Sequence, residues 1–257
     1  MITQVITSEG NEKIKLFKSL LTSKGIKENQ KFILSGRKLV AEFLDQNLKR
    51  FKPFALIFDQ DDEQAWPKNT DEIQKFVIPK NIFKELDVVG TGEALLTLEF
   101  KPFEFKDFSV GAIDLELICP LGDPKNLGAL VRSAVGFGVH EIILTQEAAH
   151  PYLPQSVKAS AGSVLFANFK KSELKISEIP VVGKNFALDL HGESISAVQW
   201  PNQLRLWVGE EGPGLKLSQE QIKKLHFITI PTQRIESLNA MVSTSLALWE
   251  WKKSTKV

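Results

Sequence analysis

Apolar residues recur along this chain at two spacings, one helical and one alternating, and their succession predicts a mixed α/β protein. The stretch NEKIKLFKSLLTSK (11–24) is amphipathic at helical spacing, KFILSG (31–36) is a short strand ending in a turn, and RKLVAEFLDQNL (37–48) returns to the helical period. Strands follow at 53–59, 75–79 and 93–100, separated by the acidic turn 59–69 and a short helix at 81–88. Residues 1–100 therefore read as a small α/β sandwich. The segment FKPFEFKDFSVGA carries neither period, and 101–112 is expected to be a linker. From 113 onward strands are expected at 113–120, 140–145, 179–186, 186–190, 204–209 and 227–231. Helices are expected at 126–138, around 156–162, and from about Leu238 to Trp251. Repeated β-α-β units of this kind imply a mainly parallel sheet covered by helices on both faces over 113–257.

Charge and cysteine content narrow the class. A formal net charge of +1 argues against a protein that coats nucleic acid by bulk charge. A local patch is nevertheless present, because residues 1–55 carry 11 Lys and Arg against 5 acids. The single cysteine, Cys119, sits in the apolar run LELICPLG and reads as a buried strand residue in a reducing compartment. The N-terminus lacks a basic start followed by an apolar block, and no stretch approaches the ~20 apolar residues of a membrane span. The expected location is cytoplasmic. The four histidines are scattered and Cys119 has no partner in the sequence, so no metal site is expected, and His191 in LHGES reads as a loop residue.

Three separated segments carry candidate chemistry. In the first, an apolar strand runs into Gly122, Asp123 and Pro124, and a helix beginning near Asn126 buries Leu127, Leu130, Val131 and Ala134 while Arg132 falls on another face. Asn126 and Arg132 can both project to the carboxyl edge of the sheet, where ligands of open α/β sheets bind; a helix cap and a surface cation are the plainer reading of the same residues. In the second, LRLWV meets the glycine-rich loop GEEGPG, where backbone can approach a ligand closely. No Lys-Ser or Lys-Thr follows, and adjacent carboxylates disfavour a phosphate, so a sulfonium or amine cofactor suits this loop better. In the third, ITIP ends a strand and Ser237 and Asn239 stand where a helix starts, with Ser237 as a possible cap.

These segments resemble the three signature motifs of the SpoU (TrmH) class of SPOUT RNA methyltransferases. The first motif falls on Asp123, Pro124, Asn126, Gly128 and Arg132, the second on Gly209, Glu211 and Gly214, and the third on Ser237, Leu238 and Asn239. HPYLPQSVKASAGSVLF resembles the family's intervening stretch, so the likeness spans about 115–251, and residues 1–100 resemble more loosely a ribosomal-protein-like RNA-binding domain. The resemblance implies a C-terminal SPOUT domain with a deep trefoil knot, S-adenosylmethionine as cofactor held at Gly209, Ile230 and Leu238, and a homodimer formed through the C-terminal domain. It implies methyl transfer to a ribose 2'-hydroxyl, with Asn126, Arg132, Glu211, Ser237 and Asn239 as the catalytic set. It also implies an RNA partner, ribosomal RNA ahead of transfer RNA, held by a basic N-terminal face that includes Lys13, Arg37 and Lys38. The alternatives are a transfer-RNA methyltransferase and a non-catalytic RNA-binding or ribosome-assembly protein with the same fold.

Two points of chemistry accompany this reading. The family's proton-acceptor role for Arg132 stands beside a second one, holding an RNA phosphate and stabilising oxyanion charge, because a guanidinium stays protonated. The long helix offers Leu238, Met241, Val242, Leu246 and Trp249 as a buried stripe, against a partner or within one subunit. The chain departs from the family in the third-motif loop TQRIE, which is one residue shorter, lacks the usual glycine and contains Arg234, and at Glu210, where Asn or Ala is commoner.

Overall fold

The computed structural model describes residues 3–46, 48–60, 70–210, 214–235 and 238–255. Contacts divide the chain into two compact units, one made by the chain through Pro102 together with His150–Gly162, the other by Phe103–Ala149 together with Ser163 onward. The second expected domain is thus interrupted, since thirteen residues in its middle pack with the first unit. Among the described residues no helix is long and apolar enough to cross a membrane.

The first unit is a five-stranded mixed sheet built from β1 (Thr3–Val5), β2 (Lys31–Ser35), β3 (Phe51–Asp59), β4 (Gln74–Ile78) and β5 (Leu95–Phe100), in the order β1-β4-β3-β5-β2. Three residues were too few for β1 to show a period, and it joins the edge in parallel with β4. The helix expected at 11–24 is two: α1 (Glu12–Ser19) and α2 (Ser23–Asn29). Thr22 caps the second through the N–H of Gly25, and a Cβ on Gly25 would overlap the Ser19 carbonyl, so only glycine permits the corner. Successive side chains of a strand point to opposite faces. Ile33 turns to the face covered by Ile14 and Phe17 of α1, by Leu20 at its C-cap, and by Ile82 and Phe83 of α4 (Lys80–Leu86). Phe32 turns to the other, where it stacks on Tyr152 at 4.3 Å and meets Phe51 edge-on, and Phe51 in turn meets Phe43 of α3 (Arg37–Gln46). His150 lies in this aromatic group beside Phe100 and Tyr152, its Nδ1 accepting the Tyr152 N–H at 3.2 Å. Burial, with a smaller contribution from the Lys27 charge, pushes its pKa down to about 3, so it is neutral. The short helix α5 (Pro154–Ala159) follows. Most of the acidic turn expected at 59–69 lies outside the described residues.

The second unit is a six-stranded, wholly parallel sheet. Its strands are β6 (Leu115–Cys119), β7 (Glu141–Leu144), β8 (Phe169–Lys171), β9 (Asn185–Ser194), β10 (Leu204–Trp207) and β11 (His226–Thr229), in the order β11-β9-β10-β6-β7-β8. LELIC and EIIL are buried at every position, as continuous apolar runs of a sheet covered on both faces should be. Cys119 is among them, its thiol pushed up to about 12 by burial. The strand expected at 179–186 begins only at Asn185, because Pro180 lacks a ladder donor and Ile179 packs into the core as coil. His191 belongs to β9, not to a loop, and sits where the register with β11 shifts. A Cβ on the neighbouring Gly192 would come within 2.6 Å of the Phe227 backbone, which explains a glycine in that crossing.

Two charged residues inside apolar strands, Glu116 and Arg205, are fully buried and lie opposite one another across β6 and β10. Arg205 Nε donates to Glu116 at 2.9 Å and another guanidinium nitrogen donates to the Val110 carbonyl at 2.8 Å. Lys106 Nζ bridges Glu116 and Glu141, each at 2.6 Å. Burial raises the Glu116 pKa, but the bonds and charges of Lys106 and Arg205 together outweigh it and hold the carboxyl below its usual range. The segment expected to be a linker is therefore fastened to the second unit from Phe103 by buried ion pairs, which its lack of period concealed.

Candidate active site

Because all six strands of the second unit run in parallel, their carboxyl ends line one edge, and the three candidate segments leave from three of those ends. β6 leads through Gly122 into α6 (Pro124–Phe137), β10 leads into Val208–Glu210, and β11 leads into Ile230 and on towards α8 (Ala240–Ser254), with α7 (Gln219–Lys224) preceding β11. The strand order puts the first segment beside the second, and sets the third two strands from the second, about 10 Å away.

Asp123, not Asn126, caps α6. Its Oδ1 accepts the N–H groups of Lys125 and Asn126 at 2.9 and 2.8 Å, Pro124 occupies the first turn, and Gly138 closes the far end in the left-handed region at φ 78°. Asn126 is not the cap and lies half-buried in the first turn. Arg132 is exposed six residues later, about 9 Å further along the axis and about 120° around it.

The second segment is closed on itself by Glu210 and Gly214, whose N–H and C=O groups pair in both directions at 3.3 and 3.1 Å. The Glu210 carboxylate accepts the N–H of Gly122 at 3.2 Å and so ties the second segment to the first. The sequence marks Glu210 as one of two adjacent carboxylates and as a departure from the family pattern, but not as this tie. Gly209 is half-buried, and a Cβ there would meet Gly214 at 3.7 Å, an ordinary contact. The adjoining loop after β7 is braced by Glu147, which accepts from the Thr145 hydroxyl at 2.6 Å and the Ile176 N–H at 3.0 Å. Although burial raises its pKa, these bonds bring it below the usual range.

In the third segment the cap of α8 is Asn239, whose Oδ1 accepts from Met241 and Val242 N–H at 2.9 and 3.3 Å. Ile230 and Leu238 are half-buried at the edge. Arg234 is exposed and holds a φ of 67°, in the left-handed region. Glu211 and Ser237 lie outside the described residues.

α8 packs beside α6, with Ser245 Oγ donating to Ser133 Oγ at 2.8 Å and Phe137 6.3 Å from Trp249. Its buried side is Met241, Thr244, Ala247, Leu248 and Trp251. Of the expected buried stripe only Met241 is buried. Val242, Leu246 and Trp249 stand 48, 39 and 52% exposed, one helical stripe facing away from this chain's own core.

The residues expected to hold RNA do not form one face. Lys13 is on α1, its ammonium 5.1 Å from the Phe54 ring, whereas Arg37 and Lys38 are on α3, across the sheet. Lys38 instead shares a cleft of about 310 Å³ with Ser35, Glu93 and Lys158.

The profile of the SpoU rRNA Methylase family matches residues 117–249. The chain is 30% identical over 255 residues to "Ribosomal RNA small subunit methyltransferase G 2" of Syntrophobacter fumaroxidans, covering 97% of this chain and 49% of that protein. It thus spans about half the length of this relative. It is 24% identical to the "23S rRNA (guanosine(2553)-2'-O)-methyltransferase RlmP" of Bacillus subtilis, over 95% of this chain and 97% of that one. Its fold is similar to that of the SpoU methyltransferase AviRb from Streptomyces viridochromogenes, solved in complex with AdoMet, with a TM-score of 0.78 at 20% identity over 95% of this chain and 97% of the other.

Proposed function

The chain belongs to the SpoU rRNA Methylase family, and from that membership we propose that it is an S-adenosylmethionine-dependent RNA methyltransferase acting on a ribose 2'-hydroxyl, in ribosomal RNA ahead of transfer RNA. The observation that carries the reading is the convergence of the three motif segments on the carboxyl edge of one parallel sheet. In this reading Gly209, Ile230 and Leu238 hold the cofactor, in a trefoil-knotted C-terminal domain. The residues suit it. Packing within the chain does not demand a glycine at 209, where a Cβ would meet only ordinary contacts, so a bare backbone there serves a ligand. A carboxylate at 210 favours a cationic cofactor over a phosphate.

S-adenosylmethionine, when bound, supplies an electrophilic methyl group for in-line displacement. The protein's task is then to align a ribose oxygen with that methyl and to stabilise the charge that develops as the hydroxyl proton leaves. Asn126 and Asn239 orient the ribose together with Glu211 and Ser237, which the family motif alone assigns. Arg132 holds the adjacent phosphate and stabilises developing oxyanion charge, since its guanidinium does not give up its proton. Its distance from Asn126 along α6 favours service to a site completed by a second subunit. The exposed stripe Val242, Leu246 and Trp249 supplies an apolar surface for such a homodimer. The first unit presents RNA through the α3 side, with Arg37, Lys38 and Lys158, and Lys13 stands apart from that grip.

The test is transfer of radiolabelled methyl from S-adenosylmethionine to unmodified ribosomal and transfer RNA, followed by alkaline digestion. Label in alkali-resistant dinucleotides from ribosomal RNA is the expected result. Label recovered only in alkali-labile mononucleotides would place the methyl on a base and refute the ribose assignment.

A further inference from the structure

The third-motif loop contains a backbone conformation that its sequence does not favour. Arg234 has a φ of 67°, in the left-handed region, where a side chain with a Cβ is disfavoured against the right-handed one. Glycine would relieve this, and neither neighbour is glycine. The loop is held in shape around Arg234 by Thr232, whose hydroxyl donates to the Ile235 carbonyl at 2.7 Å. Arg234 is exposed and forms no ion pair among the described residues. A strained residue with an exposed guanidinium, at the edge where the motif segments meet, is the pattern of strain kept for function.

We propose that Arg234 is an RNA-binding residue of this site, gripping a backbone phosphate of the substrate next to the nucleotide that is methylated. The inference rests on the methyltransferase reading above. Two anionic groups could meet a guanidinium here, a phosphate of the RNA or the carboxylate of the cofactor. Exposure decides for the RNA, because the residues assigned to the cofactor, Gly209, Ile230 and Leu238, are half-buried while Arg234 stands in solvent. The left-handed turn fixes the backbone at the root of this exposed side chain, which lowers the entropy lost when the fork closes on a phosphate.

The experiment uses the full chain with R234G, R234N and R234K. Glycine and asparagine both accept a positive φ, so the thermal midpoint of R234G should stay unchanged or rise by up to about 4 °C. Affinity for in vitro transcribed, unmodified ribosomal RNA should nevertheless fall about three- to tenfold in R234G and R234N, with the salt slope of log affinity reduced by about 1. R234K, which keeps the charge, should retain part of the affinity. The dissociation constant for S-adenosylmethionine should stay within about twofold in all three. An unchanged RNA affinity and salt slope in R234G would overturn the proposal, and a selective loss of cofactor affinity would assign the arginine to the cofactor carboxylate instead. Absence of RNA binding by the unaltered protein would refute the underlying reading, a result distinct from either.

Discussion

Asn239 caps a helix, and in the proposed mechanism it also orients the ribose; a pair of substitutions separates the two. Its Oδ1 accepts from Met241 and Val242 at the start of α8, and removing such a cap costs about 1 kcal/mol, within a range of about 0.5–2. In a chain of this size that is a fall of about 2–4 °C in the thermal midpoint. N239A should show it. N239D should not, because aspartate caps as well as asparagine and its charge complements the positive end of the helix. Activity should divide differently. An aspartate lacks the amide N–H donors and places a negative charge where RNA phosphates approach, and losing one preorganised donor costs about a hundredfold or more in turnover. Both variants should therefore be nearly inactive in the radiolabelled methyl-transfer assay, while only N239A melts early in differential scanning calorimetry. A fully active N239D would refute the catalytic assignment and leave Asn239 as a helix cap alone.

R132A should lose methyl transfer by at least about a hundredfold while isothermal titration shows cofactor affinity close to that of the unaltered protein; retained turnover would remove Arg132 from the catalytic set. Stability should fall as pH drops below 6.5, because the unfolded chain protonates His150 at its ordinary pKa whereas the folded chain resists until about pH 3. The slope approaches about 1.4 kcal/mol per pH unit but is half that at pH 6.5, so the change between pH 6.5 and 5 is about 1.6 kcal/mol, in a window above the carboxylate titrations. Urea unfolding at those two pH values should show it, and H150N should flatten the difference; an equal slope in H150N would refute the assignment. The triple change of Val242, Leu246 and Trp249 to serine should convert a dimer to a monomer in sedimentation, and an unaltered mass would exclude this stripe as the interface.

The parallel core was legible because a strand buried on both faces must be apolar throughout, as LELIC and EIIL are. The three motif segments were legible because each joins an unmistakable strand end to a turn. The cap of α6 was not legible, because Asp123 and Asn126 stand close together and both residue types cap. A capping side chain is chosen by local backbone geometry, which the sequence only narrows. Strands of three residues, β1 and β8, are too short to carry a period. The faces of α8 could not be assigned either, since Val242, Leu246 and Trp249 are as apolar as Met241 and Leu248, and only packing shows which side its own chain covers. Lys13 and Arg37 looked like neighbours in a basic stretch, yet one lies on each side of the sheet. One missed feature did have a signal: an acid in LELIC and a base in LRLWV, each within a buried run, must be neutralised, and their register makes them partners.

Whether a site belongs to one chain or two is decided by how Arg132 and Asn239 share it. The two residues sit on packed helices joined through Ser133 and Ser245, but Arg132 is well down α6 from the sheet edge where Asn239 starts α8. If each site takes Arg132 from one subunit and Asn239 from the other, a heterodimer of R132A with N239A holds one site with both defects and one with neither. Random mixing of equal amounts makes half the dimers heterodimers, so about a quarter of all sites should be intact and about a quarter of the activity should return from two inactive proteins. If instead each subunit supplies both residues, every site in the mixture carries one defect and no activity returns. Both variants should fold, because Arg132 is exposed and the cap loss is about 1 kcal/mol, so mixing after mild denaturation and refolding tests sharing rather than stability. A mixture as inactive as its components, in which exchange of labelled subunits is shown, would place Arg132 within its own chain's site and require α6 to bend its reach toward the edge through a rearrangement on binding RNA.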